Sequence, residues 1–432
     1  MSKIGKMVKI AIPILLVAVL LTVAACGQAV EPPPSNGGNG TEPPPTPPPA
    51  IKVANLGDLT GPQSSSTGVL FKGTQDYWEY VNEELGGIDG AEVMVIWGDS
   101  KSDATTATGH TERFIDAGVV TVDASSTSDI LASRALLERA KLPAIGATGT
   151  TALLIPPSVI YSTIPESAQI FATGIAFLYE EWVKKGLNRP MKIAIVSWDI
   201  PACRTGSAGV KKWVEMQEPG VAELVYEAYV PMTTVDFTPE LSGAKAAGAD
   251  VVQSCVVGGT MGMMARDMGK VGFADDVLNL QWSVALGPGP RELAGDQVAR
   301  IRVIDWYAQP YETNYVMIPL ANRLAKENQG MDSFSSGYFL GFAAAKLTHE
   351  AIKLALAEVG HDKLDNIAVA EHGFNQMRHE DYGLGTRINF SDGSRIGPTQ
   401  IRILKWNTAE DRTESVSDWL ELIPYDLIYP SE

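Results

Sequence analysis

The chain has 432 residues, 45% hydrophobic and 20% charged, a globular composition rather than a disordered or fibrous one. That length exceeds what one hydrophobic core usually serves, so two lobes are expected. A net charge of −17 with no cluster of lysines and arginines excludes nucleic-acid binding through phosphate neutralisation.

Lys3, Lys6 and Lys9 give a basic start, and an apolar run from Ile10 to Ala25 follows, interrupted by Pro13 and Thr22. A membrane span needs about 20 apolar residues, so this run has the layout of a secretory signal over residues 1–25. It ends in Val23-Ala24-Ala25-Cys26, which resembles the lipobox of bacterial lipoproteins. That resemblance implies cleavage before Cys26, lipid on Cys26, and an extracytoplasmic protein anchored to the cell membrane. The alternative is an uncleaved anchor helix with an incidental cysteine. Residues 31–50, EPPPSNGGNGTEPPPTPPPA, can form neither a core nor a ladder. With the rest of 26–50 they read as a tether, and 20 residues at 3.1 Å each reach roughly 60 Å when extended.

From Ile51 the pattern alternates strands and helices. Strands are expected at 52–56, 92–97, 119–122 and 142–145, with helices at 68–85, 103–117 and 129–140. Gly86-Gly87 stops the first helix, as glycine does at helix C-termini. Hydroxyls in Ser125-Ser126-Thr127-Ser128 stand where an N-cap belongs. After an irregular stretch from Tyr161 to Glu166, a second series begins. Its strands are expected at 192–197, 223–229, 250–255 and 277–281, and its helices at 168–185, 205–217, 238–247 and 259–270. Residues 305–385 read as mainly helical, and Ile401 to Trp406 as a strand. The fold class is therefore α/β, with two doubly wound parallel-sheet lobes.

In such sheets a ligand sits beyond the carboxyl ends of the strands, near helix N-termini. The loops at 57–67, 123–128 and 146–150 hold those positions in one lobe, and 198–204, 256–260 and 282–287 in the other. Of the three cysteines, Cys203 and Cys255 remain once Cys26 is set apart. In an oxidising compartment they form either a disulfide or two separate buried thiols.

The sequence resembles the type I periplasmic binding proteins, the family that includes the leucine/isoleucine/valine-binding protein. The likeness rests on Gly57-Asp58-Leu59-Thr60-Gly61-Pro62, Val81-Asn82 with Gly86-Gly87-Ile88-Asp89-Gly90, Ala124 to Ser128, Ile145-Gly146-Ala147-Thr148, Asp250-Val251-Val252 and Val271-Gly272-Phe273. It spans most of 51–406. It implies a first lobe from 51–165 and 305–386, and a second from 166–304 and 387–432. Three hinge crossovers would lie near 163–167, 302–306 and 385–390, closing the lobes on a small ligand. It also implies a monomer that delivers the ligand to an ABC permease with its ATPase subunits. A ligand-sensing receptor subunit of the same fold is the alternative.

In amino-acid-binding members of that family, hydroxyls and helix N-terminal amides hold the ligand carboxylate. The matching residues here are Ser125, Ser126, Ala147 and Thr148, with Ser66 on the 57–67 loop. Capping of the helix by Ser126 and Thr127 is the competing reading. The second lobe departs from the family. Trp198 and Asp199 stand where a tyrosine-glycine pair is common, and Val257-Gly258 where an aromatic is. Trp282-Ser283 stand where the acid for the ligand ammonium belongs. A buried ammonium without a partner costs several kcal/mol, so Asp199 is the candidate substitute, or else a residue bonded to local backbone. Trp198 and Trp282 are candidates to cover a planar or apolar ligand, or else core residues. These groups suit an amino-acid-like molecule, an amide or a carboxylate.

No enzyme is expected. The chain lacks a Gly-x-Ser-x-Gly elbow, a Gly-Lys-Ser/Thr phosphate loop and a dinucleotide fingerprint, so no cofactor is implied. His372, His379, Glu380 and Asp381 cluster in sequence around Met377 but lack the spacing of metal ligands.

Overall fold

A computed structural model describes residues 47–282, 288–391, 393–410 and 412–429. The expected signal, Cys26 and nearly all of the expected tether lie outside these residues. No helix among those described is long and apolar enough to cross a membrane.

The first sheet has five parallel strands: β1 (Ile51–Gly57), β2 (Val93–Asp99), β3 (Val122–Ala124), β4 (Ala144–Gly146) and β5 (Ile160–Ser162), in the order β2-β1-β3-β4-β5. Helices α1 (Ser64–Glu83), α2 (Ala104–Asp116), α3 (Thr127–Ala140) and the short α4 (Thr151–Leu154) connect them. The second sheet carries β6 (Met191–Trp198), β7 (Ala222–Val230), β8 (Val251–Gln253), β9 (Leu278–Trp282) and β10 (Ile301–Asp305). Its helices are α5 (Ser167–Lys184), α6 (Pro201–Glu215), α7 (Thr238–Ala246), α8 (Gly259–Lys270) and α9 (Pro288–Ala294). The chain then returns to the first lobe as α10 (Met317–Gln329) and α11 (Ser336–Val359), and ends in the second sheet as β11 (Gln400–Asn407), β12 (Arg412–Ser415) and β13 (Leu420–Glu421).

The second sheet runs β12-β11-β10-β9-β8-β6-β7, with β13 also on β11. It is parallel from β7 to β10, and β11 and β12 close its far edge antiparallel. Parallel strands are covered on both faces. Accordingly Ile193, Ala194, Ile195 and Val196 of β6 are all fully buried.

Three elements differ from the sequence-based expectation. β5 occupies part of the stretch read as irregular. A three-residue strand between Pro156-Pro157 and Pro165 is too short to show alternation, and only its pairing with β4 defines it. Residues 302–305, expected in a crossover, belong to β10, and the chain leaves the second sheet at Trp306. The last passage comes later than 385–390. Ile396 still pairs in parallel with Ser162 of β5, through Ser162 N donating to Arg395 O (2.7 Å) and Gly397 N to Ser162 O (3.0 Å). The chain joins the second sheet only at Gln400.

The first lobe is closed by contact between α1 and α11. Ser335 caps α11 by accepting from Tyr338 N. Gly73 and Gly341 let the two backbones touch: a Cβ on Gly341 would sit 1.9 Å from Leu70 O, and one on Gly73 2.0 Å from Tyr338 O. Polar bonds then fix the register. Thr74 Oγ1 donates to Gly341 O (3.1 Å), Tyr338 Oη donates to Asp76 Oδ2 (2.7 Å), and Tyr77 Oη shares a 2.9 Å bond with His349 Nδ1. Burial holds the His349 imidazole down to about 4, so it is neutral here. Gly341→Ala forces the helices apart and should destabilise the protein by about 1–3 kcal/mol, read as a lowered thermal midpoint. An unchanged midpoint would show that the contact yields without cost.

Asp123 on β3 is buried beside the same pair of helices and accepts from Thr74 Oγ1 (3.1 Å). Desolvation raises its carboxyl to about 7, with the Thr74 bond opposing. Its folded value lies above its unfolded one, so its contribution to stability is full below about pH 4 and lost as pH rises through 7. Asp123→Asn keeps the shape and removes the charge. The variant should gain on the parent by up to about 4 kcal/mol at pH 8 and show no gain at pH 4. Denaturant melts of both proteins at the two pH values check this, and the difference between them cancels the opposite titration of His349.

Candidate functional site

β3 and β4 are neighbours, so the loops that follow them lie side by side at one end of the first sheet. Ser126 caps α3 by accepting from Asp129 N (3.2 Å), and its hydroxyl also meets Ser128 Oγ (2.9 Å). Thr127 Oγ1 donates to Ala147 O (3.4 Å), which ties the two loops together. Capping thus accounts for Ser126 and leaves the Ser125 hydroxyl, which packs on Gly57: a Cβ there would lie 3.1 Å from Ser125 Oγ. Ser66 is in the first turn of α1, where its hydroxyl donates to Gln63 O (3.0 Å). Asp58 shapes the loop before it by accepting from Gly61 N and from Gln63 N (2.8 Å).

Thr148 is fully buried. Its carbonyl accepts from Ser162 Oγ (2.6 Å), and its own hydroxyl has no hydrogen-bond partner within the protein. The same holds for the hydroxyls of Thr150, Thr163 and Ser167. These four residues belong to one packed unit. Ser167 N donates to Gly149 O (3.0 Å), and a Cβ on Gly149 would lie 2.7 Å from Ser167 Oγ. Sequence reasoning found Thr148 and missed the other three. The run Thr148-Gly149-Thr150-Thr151 was the available signal, but the approach of Thr163 and Ser167 is set by the first crossover and leaves no local trace. Glu166 crosses this junction. Its buried carboxylate accepts from Thr151 Oγ1 (2.6 Å) and, as the cap of α5, from Gln169 N (3.0 Å). Desolvation raises its carboxyl above the usual range despite those bonds.

In the second lobe, Trp198 ends β6 and Trp282 ends β9. They are 5% and 8% exposed, and neither indole N–H has a partner within the protein. Trp282 meets Trp306 edge-on, with ring centroids 6.3 Å apart. Val257 is half-buried, and Gly258 starts α8 at φ +57, a conformation that favours glycine. Ser283 lies outside the described residues.

Asp199 follows Trp198 at the end of β6. Its side chain is 56% exposed and paired with Arg204 Nε at 2.8 Å, and that guanidinium lies over the Tyr229 ring. The Arg204 bond holds the carboxyl below its usual range. In this structure the carboxylate is solvated and its charge is already paired with Arg204. Asp305, which sequence reasoning did not single out, is buried at the end of β10. It accepts from Trp306 N (2.7 Å), Tyr307 N (3.2 Å) and Gln309 Nε2 (2.7 Å), bonds that turn the chain into the second crossover. The first and second crossovers are bonded to each other, with Tyr307 Oη donating to Thr163 O (2.7 Å).

Cys203 and Cys255 are joined in a disulfide, their Cα atoms 5.3 Å apart and 52 residues apart in sequence. The bond clamps the start of α6 to the segment that leads into Val257-Gly258. A second bond, Cys255 N to Ser197 Oγ (3.0 Å), fixes that segment to β6. Among the described residues, no group of three or more His, Cys, Asp or Glu gathers as a metal site, the 372–381 cluster included. Reduction of the disulfide should cost about 4 kcal/mol from the entropy of the released loop. Melts with and without reductant measure this, and a loss below about 1 kcal/mol would mean that the surrounding core holds the loop without it.

The geometry is thus buried hydroxyls on strand-end loops of one lobe and buried indoles on strand-end loops of the other, with bonded crossovers between. The family profile described as periplasmic binding protein matches residues 50–411. Solved structures share the fold. One is a branched-chain amino acid ABC transporter protein from Thermus thermophilus with bound valine. It is 19% identical with a TM-score of 0.75, covering 88% of this chain and 97% of its own. An ABC transporter substrate-binding protein from Aeropyrum pernix is 21% identical with a TM-score of 0.75, covering 88% and 98%. A fatty acid ABC transporter substrate-binding protein from Thermomonospora curvata is 19% identical with a TM-score of 0.72, covering 88% and 94%. No curated protein sequence matches the chain.

Proposed function

This chain belongs to the periplasmic binding protein family, and on that premise we propose that it is the extracytoplasmic substrate-binding component of an ABC importer. It captures a small amino-acid-like, amide or carboxylate ligand between its lobes and delivers it to a membrane permease served by ATPase subunits. It acts as a monomer, held to the cell membrane by lipid on Cys26.

The observation that carries this reading is that buried polar groups without a partner stand at strand ends in both lobes. The Thr148 hydroxyl, and the Ser125 hydroxyl on the loop after the adjacent strand, offer donors suited to a ligand carboxylate or carbonyl. The indoles of Trp198 and Trp282 offer flat apolar walls, each with a buried N–H that lacks a partner in the chain. A buried donor without a partner costs about 1–3 kcal/mol, which a bound acceptor recovers. Ligand that touches both lobes favours their closed arrangement by its differential affinity for it. The solvated Asp199–Arg204 pair argues for a ligand whose ammonium, where it has one, is held by something other than Asp199. Relatives of the same fold were solved with valine or named for fatty acids, a range that fits a scaffold whose second lobe sets the ligand.

A thermal-shift panel of branched-chain amino acids, small amides and carboxylates tests the reading. A cognate ligand at 100 times its dissociation constant should add about 2.7 kcal/mol of stability. Thr148→Val should weaken that ligand by about tenfold or more, from one lost hydrogen bond to a charged group. The variant should not lose stability without ligand, because the hydroxyl it removes has no partner in the protein. Unchanged affinity in Thr148→Val would remove the first-lobe cradle from the site.

A further inference from the structure

A groove of about 680 Å³ lies on the β10–β12 side of the molecule, and its lining includes none of Ser125, Thr148, Trp198 and Trp282. It contains none of the loops that follow β1, β3, β4, β6 or β8. Its walls come from three distant segments. Tyr311 belongs to the second crossover, Phe334 precedes α11, and Trp406 lies near the end of β11. Phe334 is fixed by stacking on Phe339 (4.5 Å between centroids), and the Arg412 guanidinium braces the Tyr311 ring at 4.0 Å. Gln309, one end of the groove floor, is fixed by Thr413 Oγ1 (2.9 Å) and by its own bond to Asp305.

We propose that this groove is a second ligand site, for a planar aromatic molecule. Tyr311, Phe334 and Trp406 give the groove three aromatic walls, Phe334 held by stacking and Tyr311 by a cation–π contact, and ring–ring contacts with a flat ligand add about 0.5–1.5 kcal/mol each beyond the area buried. The volume lies in the range of sites for drug-sized ligands. Charge does not restrict the ligand to an anion, because Glu292 and Asp332 line the groove as well as Arg291 and Arg412. The walls also join the lobes. Residues 331–336 lead into α11 of the first lobe, whereas Trp406 and Arg412 belong to the second sheet. An occupant therefore biases the relative placement of the lobes, as a cleft ligand does, and the two sites would be thermodynamically linked. A small cavity containing Trp306 and Phe339 shares Gln309, Phe334 and Ser336 with the groove, and Trp306 meets Trp282 of the cleft.

Titration calorimetry of the full chain with cinnamate, cinnamamide, octanoate and leucine tests this independently of the importer reading. Cinnamate and cinnamamide should both bind, more tightly than octanoate. Ser333→Trp, which fills the groove from an exposed position, and Trp406→Ala should each weaken cinnamate by about tenfold or more. Absence of binding by both cinnamate and cinnamamide would overturn the site. So would cinnamate binding that survives Ser333→Trp and is instead lost in Thr148→Val, which would place the ring in the cleft. Octanoate binding tighter than either aromatic would overturn the ligand class. Leucine reports on the cleft alone, so failure there and failure in the groove are read separately.

Discussion

The backbone contact between α1 and α11 is the constraint from which the rest of the architecture follows. α11 enters the chain more than 250 residues after α1, beyond the whole parallel part of the second sheet. For Gly341 to meet Leu70 O, the chain must leave the first lobe, build the second and return. A further passage then brings β11 to the far side of β10, which makes three crossovers. The first lobe is thus discontinuous, and its core is complete only when both segments are in place. Buried polar groups at the same seam, the Tyr77–His349 bond and the carboxylates of Asp76 and Asp123, set one register for the helices, because any slip strands them without partners.

The crossovers run beside the strand-end loops that carry the first-lobe candidate residues. On one side, the loop 147–151 packs against the first crossover, and the caps at Glu166 and Ser126 fix the helix starts. On the other, the Cys203–Cys255 bond and the Ser197 hydroxyl hold the loop after β8. The hydrogen bond from Tyr307 to Thr163 links the crossovers, so rotation at one is felt at the other.

What the sequence made legible had local causes. Alternation of strand and helix is written in hydrophobic period, so the α/β class and the order of most elements could be read directly. Strand ends followed by hydroxyls or tryptophans could be located, which placed Ser125, Thr148, Trp198 and Trp282 at the correct end of their strands. Length limited the rest. β5, β10, β12 and β13 are short or lie between prolines and charged residues, and pairing defines them, not pattern.

Tertiary structure alone decided burial and partnership. Nothing local separates Trp198, whose indole is buried, from Asp199 next to it, whose carboxylate is solvated on Arg204. Their difference comes from the alternation of faces at the end of β6 and from the start of α6 one turn later. The disulfide likewise depends on β6 and β8 being neighbours, a fact of strand order and not of spacing. The groove gathers Tyr311, Phe334 and Trp406 from three segments that share no motif. Sequence by itself thus determined the class of the fold, the compartment to be expected and the ends of the strands where a ligand belongs, because each is encoded within a few neighbouring residues. The crossover positions, the bonded cysteines and the identity of the buried groups were decided by contacts between residues distant in the chain.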